Sequence, residues 1–400
     1  MSETVTEQAS SALMNVYNRF PLTLVKGKGS YVWDDEGANY LDFTSGIATC
    51  NLGHIPDSVE EAVKEQLEQL WHCSNLYHIP AQKKLAEQLV KYSCLDQVFF
   101  CNSGAEANEA AIKLAKKYAK DKGWEDRTEI VTFTQSFHGR TGSTMAATAQ
   151  EKIHQGFTPL TPGFRYLPYN NIEALKQVHN GKTTAVLLEL IQGEGGVNPA
   201  NIEWLTNLRD LCHEHDILFM VDEIQTGMGR TGELFAYEQF GVDPDVITLA
   251  KGLGSGFPVG ALLAKKTVAE SFQPGTHGST FGGNPLAMAA GLATIETIMN
   301  NSILNEVENK SRWMAEQLAA LKQQFSSIEE VKMSGLLIGV QMKEEAAPLV
   351  TAFREKGILV LLAGSHVLRI LPPLIVSQEE LTTFITVFKE ILQAKGANQL

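Results

Sequence analysis

The sequence predicts an α/β protein: a large domain with a mainly parallel sheet covered by helices on both faces, and a smaller α+β domain built from both chain ends. Three observations carry this. From about Ser58 onward, amphipathic helical stretches alternate with short apolar runs. The first fifty residues hold hairpin-like strands instead. After "GNPLAMAAGLATIETIMN" the chain turns to a long helix, further strands and a closing helix.

Taken in order, the chain opens with a lead-in helix or coil, and "GSYVWDDEGANYLDF" then gives two β-type runs about the turn signal "DDEG". That reads as a small hairpin outside the main sheet. Helices are expected over "SVEEAVKEQLEQLW", "AQKKLAEQLVKY" and "EANEAAIKLAKKYAKDKG", and strands over "QVFFC", "EIVTF", "TAVLLEL", "ILFMVDE" and "VITLAK". The long helix is "LNEVENKSRWMAEQLAALKQQF", the later strands lie in "GLLIGVQM", "GILVLLA" and "HVLRILPPL", and the closing helix is "SQEELTTFITVFKEILQAK". Expected boundaries put an N-terminal segment of the small domain at 1–55, the large domain at 56–297 and the C-terminal part of the small domain at 298–400.

With 400 residues, 44% of them hydrophobic, the chain has enough apolar surface for a large core. A formal charge of -13 argues against a nucleic-acid surface, which needs clustered Lys and Arg. Five cysteines, an odd number without a CxxC pair, indicate neither a disulfide framework nor a structural zinc site, and no metal is expected. A cytoplasmic protein is expected, since the start "MSETVTEQASSALMNVYNRF" lacks a basic-then-apolar leader and nowhere do eighteen apolar residues run together.

In open α/β sheets ligands collect at the carboxyl ends of the strands, so the residues just after each apolar run matter most. After "VFFC", Ser103, Gly104 and Ala105 open a helix whose amides suit a phosphate, although taken alone the stretch reads better as a routine strand-to-helix turn with Ser103 as its cap. After "EIVTF" come Phe137, able to stack on a planar ring, His138, and Arg140, able to grip a carboxylate. Asp222 ends five apolar residues and needs a positive partner at that depth. Lys251 closes "VITLA" before the glycine-rich "GLGSGFPVGA", where desolvation can turn its amine into a nucleophile. One ligand satisfies all four sites: pyridoxal 5'-phosphate, with its ring nitrogen on Asp222, its aldehyde on Lys251, its phosphate at Ser103 to Ala105 and its ring on Phe137.

The blocks "NSGAEANEAA", "FHGRT", "LIQGEGG", "VDEIQTGMGRTG", "LAKGLGSGFPVGA" and "HGSTFGGNPLA" resemble, in order and spacing, those of class III (ω-amino acid) aminotransferases of pyridoxal-phosphate fold type I. The resemblance covers nearly the whole chain and implies the seven-stranded sheet of that fold. It implies that Lys251 is the Schiff-base lysine and proton shuttle. Asp222 would hold the pyridinium, Gln225 the ring hydroxyl, and Ile224 the ring face opposite Phe137. Thr280 would reach the phosphate of a neighbouring subunit, making a homodimer.

The same resemblance bears on substrates. Arg369 matches the arginine that takes the α-carboxylate of glutamate, Arg140 the one that takes its distal carboxylate, and Glu194 the residue that pairs with Arg369 when the other substrate has no carboxylate there. Tyr17 matches a tyrosine near the substrate carboxylate. Ornithine-specific members carry a tyrosine where "TSGIATCNLGH" has Ile47, and the segment "LWHCSNLYHIPAQ" resembles members that act on acylated ornithine. The expected reaction is N2-acetylornithine + 2-oxoglutarate to N-acetylglutamate 5-semialdehyde + glutamate, with ping-pong kinetics. Succinylornithine, ornithine or another ω-amine is the alternative donor, and an aminomutase-type isomerase a distant one. "CHEH", Cys212 to His215, reads as a helix end rather than a metal cluster.

Overall fold

The computed structural model describes residues 12–397, so the first part of the expected lead-in lies outside the described residues; residues 12–23 form no helix. The centre is a seven-stranded sheet in the order Gln97–Cys101, Gly260–Ala264, Val246–Leu249, Leu218–Asp222, Thr183–Leu188, Glu129–Phe133, Phe164–Leu167. All its strands run parallel except Gly260–Ala264, which pairs antiparallel with both neighbours. The fold is therefore the mainly parallel α/β architecture the sequence predicts.

The strands carry apolar side chains on both faces, and alternate residues enter two different cores. Ala185, Leu187, Leu218, Met220 and Val246 pack with Ala110, Ala111, Leu114 and Ala115 of the helix Gly104–Asp121. Their neighbours Val186, Leu188, Phe219, Val221 and Ile247 pack on the other face with Trp204, Leu205 and Leu208 of the helix Ile202–Glu214. Period-two alternation thus gives each face its own helical layer. Trp204 is fully buried, edge-on to Phe133 at 5.0 Å and to Tyr169 at 4.9 Å. Truncating it to alanine would cost about 3–5 kcal/mol.

Two of the seven strands, Phe164–Leu167 and Gly260–Ala264, were not expected. "FRYL" is an edge strand whose Tyr166 faces solvent, and "GALLA" lacks the β-branched and aromatic residues that mark a strand.

Strands Leu24–Lys28, Tyr31–Asp34 and Asn39–Asp42 form the expected hairpin with one strand more, and Asn39–Asp42 pairs in parallel with Ile358–Leu359. A separate antiparallel sheet holds Ile328–Ser334, Leu337–Met342, Val367–Ile370 and Leu361–Ala363. "GILVLLA" is thus split at Val360 between two sheets. Arg230, fully buried, ties this region to the centre by donating to the carbonyls of Leu336 and Pro372 and to Asn51 Oδ1.

Candidate active site

A cavity of about 410 Å³ opens at the carboxyl edge of the parallel strands. Its walls are the segments that leave those strands: Asn102–Ala105, Phe137–Arg140, Glu189–Glu194, Asp222–Thr226 and Ala250–Lys251. The one antiparallel strand starts at this same edge, which is why its entry residues Gly256–Val259 complete the lining.

Asp222 ends its strand with 4% of its surface exposed. Its Oδ2 accepts from His138 Nδ1 and Asn108 Nδ2, each at 2.8 Å, and Oδ1 accepts from the Ile224 amide at 3.0 Å. Asn108 also donates to the His138 carbonyl and accepts from Thr248 Oγ1 at 2.7 Å. The carboxylate is thereby fixed in rotamer and direction. Its polar partners are an imidazole and an amide, with Lys251 making no ion pair to it.

Lys251 occupies a left-handed backbone position at φ 40°, costly for a residue with a side chain, two residues beyond Leu249, which ends its strand. Burial is the main cause that pulls its amine below the ordinary lysine range; Glu194, Asp222 and Glu189 oppose it and Arg369 assists. Among the described residues no hydrogen bond engages its Nζ.

Ser103 caps the eighteen-residue helix Gly104–Asp121 by accepting from the Glu106 amide at 3.2 Å. The cap reading of Ser103 is therefore correct, and the helix end also lines the cavity. Amides at the first two helical positions have no partner within the helix and stay available. A Cβ on Gly104 would come within 2.9 Å of Ile224, so glycine lets the helix end approach that side chain.

On the opposite side, Arg369 Nη1 and Nη2 grip Glu194 Oε1 and Oε2 at 2.5 and 3.2 Å. Burial acts to raise the Glu194 pKa, but Arg369, with Lys251 and Gln225, outweighs it and the carboxyl sits below its usual range. Arg369 itself is 2% exposed and is screened from the cavity by Glu194. The buried Glu189 accepts from the Phe137 amide at 2.9 Å and the Gly193 amide at 3.3 Å.

The structure brings together Ser103, Gly104, Ala105, Phe137, His138, Arg140, Glu194, Asp222, Ile224, Gln225 and Lys251 around one cavity. Tyr17, Ile47 and Thr280 do not line it; for Thr280 that agrees with an expected place at a neighbouring subunit. Tyr17 is 70% exposed, its ring 5.7 Å from the Arg19 guanidinium, because the segment before Leu24 pairs with no strand. Ile47 is 43% exposed in a left-handed turn from Ser45 to Ala48, two residues before Thr49, which does line the cavity. Thr280 is exposed on the loop before the helix Pro285–Asn300. Asn108 escaped sequence reading, although an amide on the fully buried alanine face of a helix signals a required polar partner. Among the described residues no His, Cys, Asp and Glu cluster fits a metal, and "CHEH" ends the helix Ile202–Glu214 as expected.

These donors suit pyridoxal phosphate: unspent helix amides for a phosphate, a carboxylate held in place for a ring nitrogen, an amine without a hydrogen bond, and Gln225 Oε1 buried with no partner. Fold and cavity together define a pyridoxal-phosphate-dependent transferase of fold type I. The chain belongs to the class-III aminotransferases, whose family profile, "Aminotransferase class-III", matches residues 13–392. It is 62% identical to the acetylornithine aminotransferase of Oceanobacillus iheyensis, over 98% of each chain. It is 48% identical to that of Bacillus subtilis, over 97% of this chain and 99% of the other. Among solved structures it resembles the ornithine aminotransferase of Toxoplasma gondii, with TM-score 0.93, 31% identity and 97% and 94% of the two chains covered. It also resembles the N-acetylornithine aminotransferase of Stenotrophomonas maltophilia, with TM-score 0.83, 38% identity and 94% and 97% covered. No helix of the described residues is long and apolar enough to cross a membrane.

Proposed function

We propose that this chain moves the δ-amino group of N2-acetyl-L-ornithine to 2-oxoglutarate, giving N-acetyl-L-glutamate 5-semialdehyde and L-glutamate, a step of arginine biosynthesis. The observation that carries this is the closed Glu194–Arg369 pair at the cavity that holds Lys251. A buried arginine behind a displaceable carboxylate suits alternating substrates, one without a carboxylate at that point and one with. The acetylornithine aminotransferases among its relatives support the acylated donor. Ornithine itself is the second reading, favoured by the 0.93 backbone match; isoleucine at position 47 weighs against it.

When bound, pyridoxal phosphate supplies the carbonyl that takes up the amine and the ring that accepts electron density from the reacting carbon. Lys251 Nζ, its basicity lowered by burial, takes the proton from the δ-carbon of the donor. Asp222, fixed by His138 and Asn108, would hold the ring nitrogen protonated. Phe137 and Ile224 would pack on the ring, Gln225 would bond its hydroxyl, and the amides at Ser103 to Ala105 would hold the phosphate. In the second half-reaction Arg369 leaves Glu194 for the α-carboxylate of 2-oxoglutarate while Arg140 takes the distal one.

The working unit of this reading is a homodimer in which Thr280 serves the partner's phosphate site, and Tyr17 and Ile47 act at the assembled entrance. Support comes from the exposed apolar side chains Trp71, Leu76, Tyr77 and Phe281. The loops that carry them are joined by Asn75, which donates to the carbonyls of Ser279 and Gly282. Cytoplasmic residence is supported by five cysteines that form no disulfide.

The test is a half-reaction. N2-acetylornithine, ornithine, succinylornithine and 4-aminobutyrate are each added to the holoenzyme without keto acid, and the visible absorption of the cofactor is followed. Rapid loss of the band with N2-acetylornithine, at a kcat/KM well above the others, is expected; preference for another donor would overturn the substrate assignment.

A further inference from the structure

Among the described residues Glu189 forms no ion pair, although it lies close enough to Lys251 to act on that amine. It is 6% exposed, and its carboxyl accepts hydrogen bonds from two backbone amides of different segments. Oε2 accepts from Phe137, on the wall that carries the aromatic ring, and Oε1 accepts from Gly193, the residue before Glu194. Gly193 is tied a second time, through its carbonyl, to Arg369 Nη1 at 3.3 Å. It is also hemmed in: a Cβ there would lie 2.0 Å from Gln225 Oε1. The backbone at Gly193 therefore has one seat, and Glu189 holds its amide in it.

We infer that Glu189 is a positioning residue, whose carboxyl bridges the Phe137 wall to the Gly193–Glu194 backbone and thereby favours the closed Glu194–Arg369 pair. This rests on the reading of that pair as the substrate gate. With both amides on the carboxyl, Glu194 meets both nitrogens of Arg369. Replacing the carboxyl by an amide turns one acceptor into a donor facing an N–H, so one bond is lost and the backbone at 193 or 137 shifts. Burial, with Asp222 and Glu194 nearby, holds the Glu189 pKa well above the ordinary carboxyl range, while the two amides that donate to it act the other way.

A looser seat weakens the closed pair and frees Arg369. The donor half-reaction, which uses the closed gate, must then suffer, while a dicarboxylate competing with Glu194 must gain. A merely structural defect weakens both. The probe is glutarate, a five-carbon dicarboxylate without amine or keto group, titrated calorimetrically into the holoenzyme alongside the KM for N2-acetylornithine in the half-reaction. For Glu189→Gln, glutarate is expected to bind about fivefold tighter and the donor KM to rise about fivefold, the worth of one hydrogen bond. Glu189→Asp, too short to reach both amides, is expected to move both quantities in the same directions and covers the case in which the Gln variant does not fold. Parallel weakening of glutarate and donor, or no change in either, overturns the inference. A failure of the gate reading appears earlier and elsewhere: wild-type enzyme then ignores glutarate, or Arg369→Ala binds it equally well.

Discussion

Lys251 and Asp222 are legible in the sequence for one physical reason: a charge at the end of an apolar strand must be used or neutralised. What surrounds them is less legible, because the partners of Asp222 come from His138 and Asn108, remote in sequence, and those of Glu189 are backbone amides that no residue type announces. Glu223 illustrates the same limit. It is fully buried, accepts from the Tyr237 amide at 2.8 Å and from Thr226, and burial is the main cause that lifts its pKa from 4.5 to about 7. A carboxyl whose folded-state pKa is raised contributes stability in full below its unfolded value, and that contribution fades as the pH rises through about 7. Relative to Glu223→Gln, the wild type should therefore lose about 3 kcal/mol of stability across that window. Thermal or denaturant unfolding at a series of pH values measures this, and a pH-independent difference between the two proteins would contradict it.

Among the elements, the helix Gly104–Asp121 does two jobs, presenting its amino end to the cavity and laying an alanine-rich face on the sheet. The helical period and the small-residue turn made the element readable, and the close approach at Gly104 explains the glycine. Asn108 is the exception on that face. Removing its amide takes one of two side-chain donors from Asp222 Oδ2 and strands the His138 carbonyl and Thr248 Oγ1, so Asn108→Ala should cost about 2–4 kcal/mol and loosen cofactor binding. Denaturant unfolding of the apoprotein, with cofactor release under dialysis, reads the two effects separately. The strands were less evenly visible: runs rich in valine, isoleucine and phenylalanine stand out, whereas Gly260–Ala264 owes its strand form to pairing on both sides and not to its own residues.

For the whole molecule, the order of alternating helices and strands is enough to foresee a mainly parallel sheet, while the tertiary place of an exposed segment such as that of Tyr17, which lines no part of the cavity, is not legible in its residues. A mixing experiment tests the proposed assembly. Lys251→Ala and Thr280→Arg are each expected to be nearly inactive. Co-refolded in equal amounts they should recover about a quarter of wild-type activity, because half the dimers are mixed and each holds one intact site. No recovery would mean that Thr280 serves its own chain or neither. The parallel pairing of Asn39–Asp42 with Ile358–Leu359 has another consequence. A ribosome delivers the first of these strands long before the second, so the emerging chain carries an open β-edge through most of its synthesis. During that interval the nascent chain is vulnerable to pairing with other copies, and a chaperone that shields its amino-terminal hairpin would raise the yield of native enzyme more than one acting on the central sheet.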